Sequence, residues 1–151
     1  MTTCKDCRRA ELPQPVRVLV LHGRDNRFRD GLLAWLLRAE HGIDARTVGD
    51  MRAHSDGSID ERVSESLAWG DRAVAIVHRD RRSASGAPNV IEEIGRWREA
   101  KGKKTLALLW QKGVRPWSNI DGIVRIEFQR NVSEGFPKLE RFLGMVQRAV
   151  V

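Results

Sequence analysis

The sequence lacks the features that mark several large classes of protein. None of its apolar runs reaches the roughly 18 residues that a membrane-spanning helix needs. The polar start, residues 1–15, has no apolar stretch behind its basic residues and does not fit a signal peptide. Neither a GxGxxG nor a GxxxxGK[ST] motif occurs, which argues against a Rossmann dehydrogenase and a P-loop ATPase. We therefore expect a cytoplasmic protein that belongs to neither of these nucleotide-binding classes.

Cysteine is also scarce, with only Cys4 and Cys7 in the whole chain. A Cys-x-x-Cys pair can be half of a zinc site, but the remaining two ligands have no second pair to supply them. A thioredoxin-type pair would open a helix after a strand, whereas this one precedes the first strand. We interpret residues 1–15 as a flexible polar leader and predict no metal site.

The chain of 151 residues has the usual size of one domain, which we place at residues 16–151. Its net charge of +7 favours anionic partners such as nucleotides or nucleic acid. Only residues 79–82 and 101–104 form local basic clusters, and neither has the interleaved aromatic residues of a stacking platform. We therefore do not expect specific nucleic-acid binding, because the net charge is the only feature that favours it.

Apolar patterns predict strands that alternate with helices, apart from a long loop at residues 111–122. The β-branched run Val16–Leu21 fits a strand buried on both faces, and further strands are predicted at 43–48, 73–77, 105–110 and 123–128. Residues 49–58 look like a polar loop, and Ser133 or Glu134 opens a last helix that continues to Val150. The alternation predicts an α/β fold with a five-stranded parallel sheet in the order 2-1-3-4-5 and helices on both faces. The residues expected in the sheet interior are Val18, Val20, Ile76, Leu106 and Leu108.

The segment Asn89-Val90-Ile91-Glu92-Glu93-Ile94-Gly95 places carboxylates just inside a helix that follows the third strand. One interpretation is that Glu92 or Glu93 only complements the helix dipole. The other is that Glu93 contacts a ribose or a developing oxocarbenium ion, as carboxylates do in glycoside cleavage. Asn89, Glu93 and Trp97 are spaced by four on one helix face, so Trp97 is predicted to wall the same pocket.

A second candidate segment, His22-Gly23-Arg24-Asp25, ends the first strand. Glycine allows a ligand close to the backbone, and Arg24 can pair with phosphate while Asp25 orients it or binds a ribose hydroxyl. The alternative is a tight turn with a helix cap. Asp80 follows the third strand and reaches the same sheet edge, where open α/β folds bind their ligands.

These segments together resemble the TIR-like domain family of bacterial antiphage effectors, the class paired with cyclic-nucleotide signalling. The resemblance rests on His22 to Asp25, on residues 76–80, on residues 89–95 and on Ile120-Asp121-Gly122, in that order along residues 16–150. Glu92 stands where the family has Phe, and His78-Arg79 stand where it has Thr-Pro.

The resemblance implies a flavodoxin-like TIR fold and cleavage of the nicotinamide–ribose bond of NAD⁺, by an NAD⁺ glycohydrolase or cyclase that serves as a cell-suicide effector. It implies that Glu93 is catalytic, that Trp97 is the aromatic beyond the motif, that NAD⁺ is substrate with no cofactor, and that the chain assembles as a homo-oligomer or with a signal-sensing partner. Two alternatives stay open: a non-catalytic TIR scaffold for self-association or docking, and a nucleoside deoxyribosyltransferase-like enzyme.

Overall fold

A computed structural model describes residues 15–23, 26–52, 59–80, 86–118 and 120–144. Residues 1–14 of the leader, with Cys4 and Cys7, lie outside the described residues, so the domain boundary at residue 16 stays a prediction. No helix in the described part of the chain is both long and apolar enough to cross a membrane.

Five parallel strands form one sheet in the order β2-β1-β3-β4-β5, which confirms the predicted order. The bounds are Val16–Leu21 for β1, Ile43–Thr47 for β2, Arg72–Val77 for β3, Leu106–Gln111 for β4 and Val124–Phe128 for β5. Because β1 leads outward to β2 while β3 leads outward to β4, the chain reverses direction across the sheet between β1 and β3. In such sheets the crevice outside the carboxyl ends of these two strands is the usual ligand site.

Within the part of the chain that the structure describes, five α-helices connect or follow these strands. They are α1 (Asn26–Leu36), α2 (Val48–Arg52), α3 (Ile59–Trp69), α4 (Pro88–Lys101) and α5 (Phe136–Leu143). Short 3-10 turns at Ala39–His41, Lys103–Thr105 and Val132–Gly135 each join a helix to a strand.

Alternating side chains of the sheet feed two separate hydrophobic cores. Leu19, Leu21 and Leu108 point to the face covered by α3 and α4. Val18 and Val20 point to the opposite face, covered by α1 and α5. Both faces are therefore buried, which explains why the strands are almost continuously apolar. All five residues predicted for the sheet interior are at most 1% exposed.

Two local predictions need correction. Residues 49–52 are not loop but belong to the helix α2, which starts at Val48, the residue predicted to end the second strand. Thr47 caps this helix, because its Oγ1 accepts from the Asp50 backbone N–H at 3.0 Å while the Asp50 carboxylate accepts from the Thr47 N–H at 3.0 Å. The last helix does not begin at Ser133 or Glu134. Asn131 and Glu134 form a capping box that begins a 3-10 turn, and the helix α5 follows from Phe136. Its predicted continuation to Val150 lies outside the described residues.

Candidate functional site

A cavity of about 190 Å³ lies at the carboxyl edge of the sheet, beside the strand reversal. Three parts of the chain build it. The end of β1 supplies Val20, His22 and Gly23, the start of α2 supplies Val48 and Gly49, and the first two turns of α4 supply Asn89 and Glu93. The structure thus brings together four of the residues predicted from sequence, namely His22, Gly23, Asn89 and Glu93.

Glu93 is 9% exposed and is the only buried Asp or Glu among the described residues. It shares the inner face of α4 with Val90 and Ile94, while neighbouring Glu92 is exposed. Since each helical residue advances about 100°, one position separates a carboxyl group on the cavity from one in solvent. Burying a carboxyl group costs free energy, and a carboxylate that only complements the helix dipole can do so while exposed to solvent. The burial of Glu93 therefore favours a role in the cavity.

Asn89 lies one turn before Glu93 and is exposed at the mouth of the cavity. Pro88 occupies the first turn, where its missing N–H breaks no helical hydrogen bond, and Ala87 supplies no side-chain cap. The Asn89 amide can both donate and accept hydrogen bonds. Asn89 and Glu93 together give one wall of the cavity a neutral and an acidic hydrogen-bonding group.

His22 faces the cavity from the end of β1. Its Nδ1 lies 2.8 Å from the carbonyl oxygen of Gly23, so the ring donates through Nδ1 and the neutral ring carries its lone pair on Nε2. Burial lowers the pKa of His22 below its ordinary value of 6.5, the bond to Gly23 opposes that shift, and nearby Arg29 adds to it. The site at neutral pH thus contains a neutral imidazole that can accept a hydrogen bond.

Gly23 is required at its position by space. A Cβ there would stand 2.9 Å from the Cβ of Ala87 and 3.2 Å from Nε2 of His78. His78 is 6% exposed, its Nδ1 lies 2.8 Å from the Arg79 carbonyl, and its ring leans on Phe28 at 5.6 Å. The segment after β1 is therefore wedged between the residue after β3 and the start of α4. This close packing sets the position of the Gly23 backbone in the cavity wall.

Val48 and Gly49 are cavity residues that the sequence analysis missed. Because β2 lies next to β1, the capping box at Thr47 and Asp50 delivers the first turn of α2 to the same sheet edge. The Thr-x-x-Asp spacing is the signal that would have found this turn.

Comparison with known protein families identifies the family of this domain. The sequence pattern of the TIR domain of CAP12/Pycsar effector proteins matches residues 17–130. The chain belongs to this TIR-domain family.

Other comparisons add little. No curated protein matches the chain. Among solved structures, the flavoenzyme NAD(P)H:(acceptor) oxidoreductase FerB from Paracoccus denitrificans is similar over 89% of this chain and 94% of its own, at 13% identity and a TM-score of 0.40. A likeness that loose carries no argument about function.

Trp97 does not wall the cavity of this TIR domain, contrary to the prediction. It is 0% exposed, its Nε1 donates to Thr105 Oγ1 at 3.0 Å, and its ring packs against Gly70, where a Cβ would stand 3.1 Å away. Four residues of helix carry it about 6 Å along the axis from Glu93, toward the amino end of the sheet. The two residues share a face of α4, but only Glu93 reaches the cavity.

The remaining predicted site residues divide into two groups. Asp80 is half-buried three residues beyond β3 and does not line the cavity. Arg24 and Asp25 lie outside the described residues, so their roles stay predictions.

A larger groove of about 470 Å³ lies between α3 and α4. Three of its polar side chains are engaged within the fold: Arg96 donates to Ser64 Oγ at 3.0 Å, and Lys101 Nζ donates to the carbonyls of Ala68 and Gly70 at 3.3 and 3.0 Å. The acid that lines this groove, Glu99, is exposed to solvent. The sheet-edge cavity is smaller, but it holds the buried acid at the strand reversal and is the better candidate. Within the described ranges, no group of three or more His, Cys, Asp or Glu residues could hold a metal ion.

Proposed function

We propose that this TIR domain cleaves the nicotinamide–ribose bond of NAD⁺, as a glycohydrolase or cyclase in an antiphage effector. The observation that carries the proposal is the buried carboxyl group of Glu93 in a cavity at the carboxyl edge of the sheet. A carboxylate that is largely shielded from solvent stabilises positive charge far better than one in bulk water. Cleavage of a glycosidic bond develops that charge on the sugar.

In the proposed reaction the bond between the anomeric carbon and the pyridinium nitrogen breaks, and both electrons go to nitrogen. Nicotinamide leaves as a neutral molecule, so its departure requires no general acid. The ribose ring gains oxocarbenium character, which ionised Glu93 stabilises. Water then attacks the anomeric carbon and releases a proton to give ADP-ribose, or a nitrogen of the adenine attacks to give a cyclic product.

The size of the cavity limits how much of NAD⁺ it encloses. At about 190 Å³ it falls below the range of roughly 300–1,000 Å³ that is typical for sites enclosing whole drug-sized ligands. We infer that it takes the nicotinamide riboside end and that the rest of the dinucleotide lies outside it. Arg24, directly after Gly23 in the chain, is the proposed partner of the diphosphate.

His22 and Asn89 are the proposed binding groups beside Glu93. The free lone pair on His22 Nε2 suits a hydroxyl donor, such as one of the ribose hydroxyls. The amide of Asn89 matches either a hydroxyl or the carboxamide of nicotinamide. NAD⁺ is then substrate throughout, and the mechanism uses no cofactor.

The direct test is incubation of the purified protein with NAD⁺ and separation of the products by chromatography with mass detection. Because we expect the domain to act in an assembly, with copies of itself or with a signal-sensing partner, the assay includes high protein concentration and a crowding agent. We expect nicotinamide together with ADP-ribose or its cyclic form. Deoxynucleosides with a free acceptor base are run in parallel, since transfer of the deoxyribose would identify a deoxyribosyltransferase instead. Silence toward both substrates in every condition would favour the non-catalytic scaffold.

A further inference from the structure

The strand β5 is the last strand of the sheet, and no strand of the described chain lies beyond it. The backbone of Lys112 donates to the carbonyl of Phe128 at 2.8 Å, so the main-chain groups of Phe128 face β4. Because these groups alternate along a strand, those of Arg125 and Glu127 face away from β4. They present donors and acceptors at an open edge, which is a template for another strand.

The side chains along this edge have a symmetric arrangement of charge. Arg125 and Glu127 are both exposed and point to the same face, one residue on either side of buried Ile126. Val124 is 42% exposed and is one of two exposed large hydrophobic residues among those described. The edge thus combines opposite charges with an uncovered apolar group.

We propose that β5 pairs antiparallel with β5 of a second copy of this chain, with Ile126 on the two-fold axis, which joins the two sheets into one. In this register Arg125 of each copy lies opposite Glu127 of the other, and each of these two pairs exchanges two backbone hydrogen bonds. Val124 of each copy lies opposite Phe128 of the other. A two-fold contact must be self-complementary, and this sequence is.

Charge selects this register over its neighbours. A two-fold axis at Arg125 would set Arg125 against its own copy, and an axis at Glu127 would set Glu127 against its own copy. Like charges directly opposite each other destabilise a sheet, and opposite charges stabilise it. Only the axis at Ile126 places Arg125 of each copy opposite Glu127 of the other while the outward main-chain groups of the two strands also face each other.

The other edge of the sheet is less suited to such pairing. On β2, Arg46 already pairs with Asp44 of the same strand at 3.3 Å, and its guanidinium stacks on Trp69 at 4.9 Å. On β5 the Arg125 guanidinium lies 5.3 Å from the centre of the Trp110 ring. Turning from the buried Trp110 ring to Glu127 of a second copy replaces this contact with a charge pair.

Sedimentation of the full chain over a concentration series up to about 1 mM tests the proposal, since a five-residue strand pair makes a small interface and a weak dimer. We expect reversible dimerisation that saturates at two copies. Arg125→Glu and Glu127→Arg should each weaken it by at least about tenfold, because each turns both attractive pairs into repulsive ones.

Mixing the two single variants provides the decisive arm. The edge strand of Arg125→Glu has acids at both positions, and that of Glu127→Arg has bases at both positions. Each variant alone should therefore be monomeric. In a mixture every acid lies opposite a base, so the two variants should form a one-to-one dimer. The double reversal Arg125→Glu/Glu127→Arg should dimerise like wild type, which also shows that the substituted edge folds. A monomeric wild type, a mixture that does not associate, or growth beyond two copies would overturn the proposal. The last outcome would indicate head-to-tail pairing between β2 and β5.

Discussion

Replacing Gly23 with alanine tests the packing that positions the cavity wall. The added Cβ would stand 2.9 Å from the Cβ of Ala87, whereas carbon atoms in favourable contact are separated by about 3.5–4.0 Å. Neither neighbour is the free end of a flexible side chain, because Ala87 is fixed at the start of α4 and His78 is wedged against Phe28. The backbone after β1 must therefore move.

Overpacking of this kind costs about 1–3 kcal/mol of unfolding free energy. At roughly 2–4 °C per kcal/mol for a domain of this size, the melting temperature should fall by about 2–12 °C. Thermal and denaturant unfolding monitored by circular dichroism measure this change. Because the Gly23 backbone lines the cavity, substrate binding should weaken as well.

Two further variants isolate the contact. Ala87→Gly removes the nearer obstacle, so the double variant Gly23→Ala/Ala87→Gly should recover part of the lost stability. Gly95→Ala, inside α4 with nothing within 4 Å of its added Cβ, should instead stabilise the domain by up to about 1 kcal/mol. If Gly23→Ala proved as stable as wild type, the close approach of these three segments would be wrong.

Three other substitutions test separate parts of the account. Trp97→Phe should lower the free energy of unfolding by about 0.5–3 kcal/mol, because it loses the hydrogen bond to Thr105, and should leave the KM for NAD⁺ unchanged. A raised KM would show that Trp97 contributes to the substrate site after all. His22→Asn should reduce the loss in free energy of unfolding that occurs as the pH falls below 6.5. The folded-state pKa of His22 is lowered, so the unfolded chain takes up that proton first and the contribution of His22 is complete only above this pH. Glu134→Gln should remove stability that wild type has above pH 4.5 and loses on acidification, because backbone N–H donors lower the pKa of Glu134; urea titrations at several pH values check both slopes.

The sequence predicted the sheet well because the strands are buried on both faces. Continuous runs such as Val16–Leu21 have no helical period, and helices between successive strands, except between β4 and β5, allow only a few parallel topologies. Once the order of the strands is known, the place where β1 and β3 diverge fixes the edge that holds a ligand site. The sequence therefore suffices to assign Glu93 and His22 to the same edge of the sheet.

The errors lie where tertiary packing decides. Helical spacing correctly placed Glu93 and Trp97 on one face of α4, but it does not tell which end of that face meets the cavity and which meets Gly70. The five-residue helix α2 is too short to show an apolar period, so its polar residues look like loop. The contacts among Gly23, His78 and Ala87 join three distant segments, and no local pattern records them.

The most direct test of the central proposal is nicotinamide release by Glu93→Gln and Glu92→Gln, compared with wild type under the conditions that favour assembly. Both variants remove one negative charge from adjacent positions of α4, but only Glu93 lines the cavity while Glu92 is exposed. We predict that Glu93→Gln lowers the rate of NAD⁺ cleavage by about a hundredfold or more, the cost of losing one transition-state-stabilising group, and that Glu92→Gln costs far less. Equal rates for wild type and a folded Glu93→Gln variant would contradict the assignment.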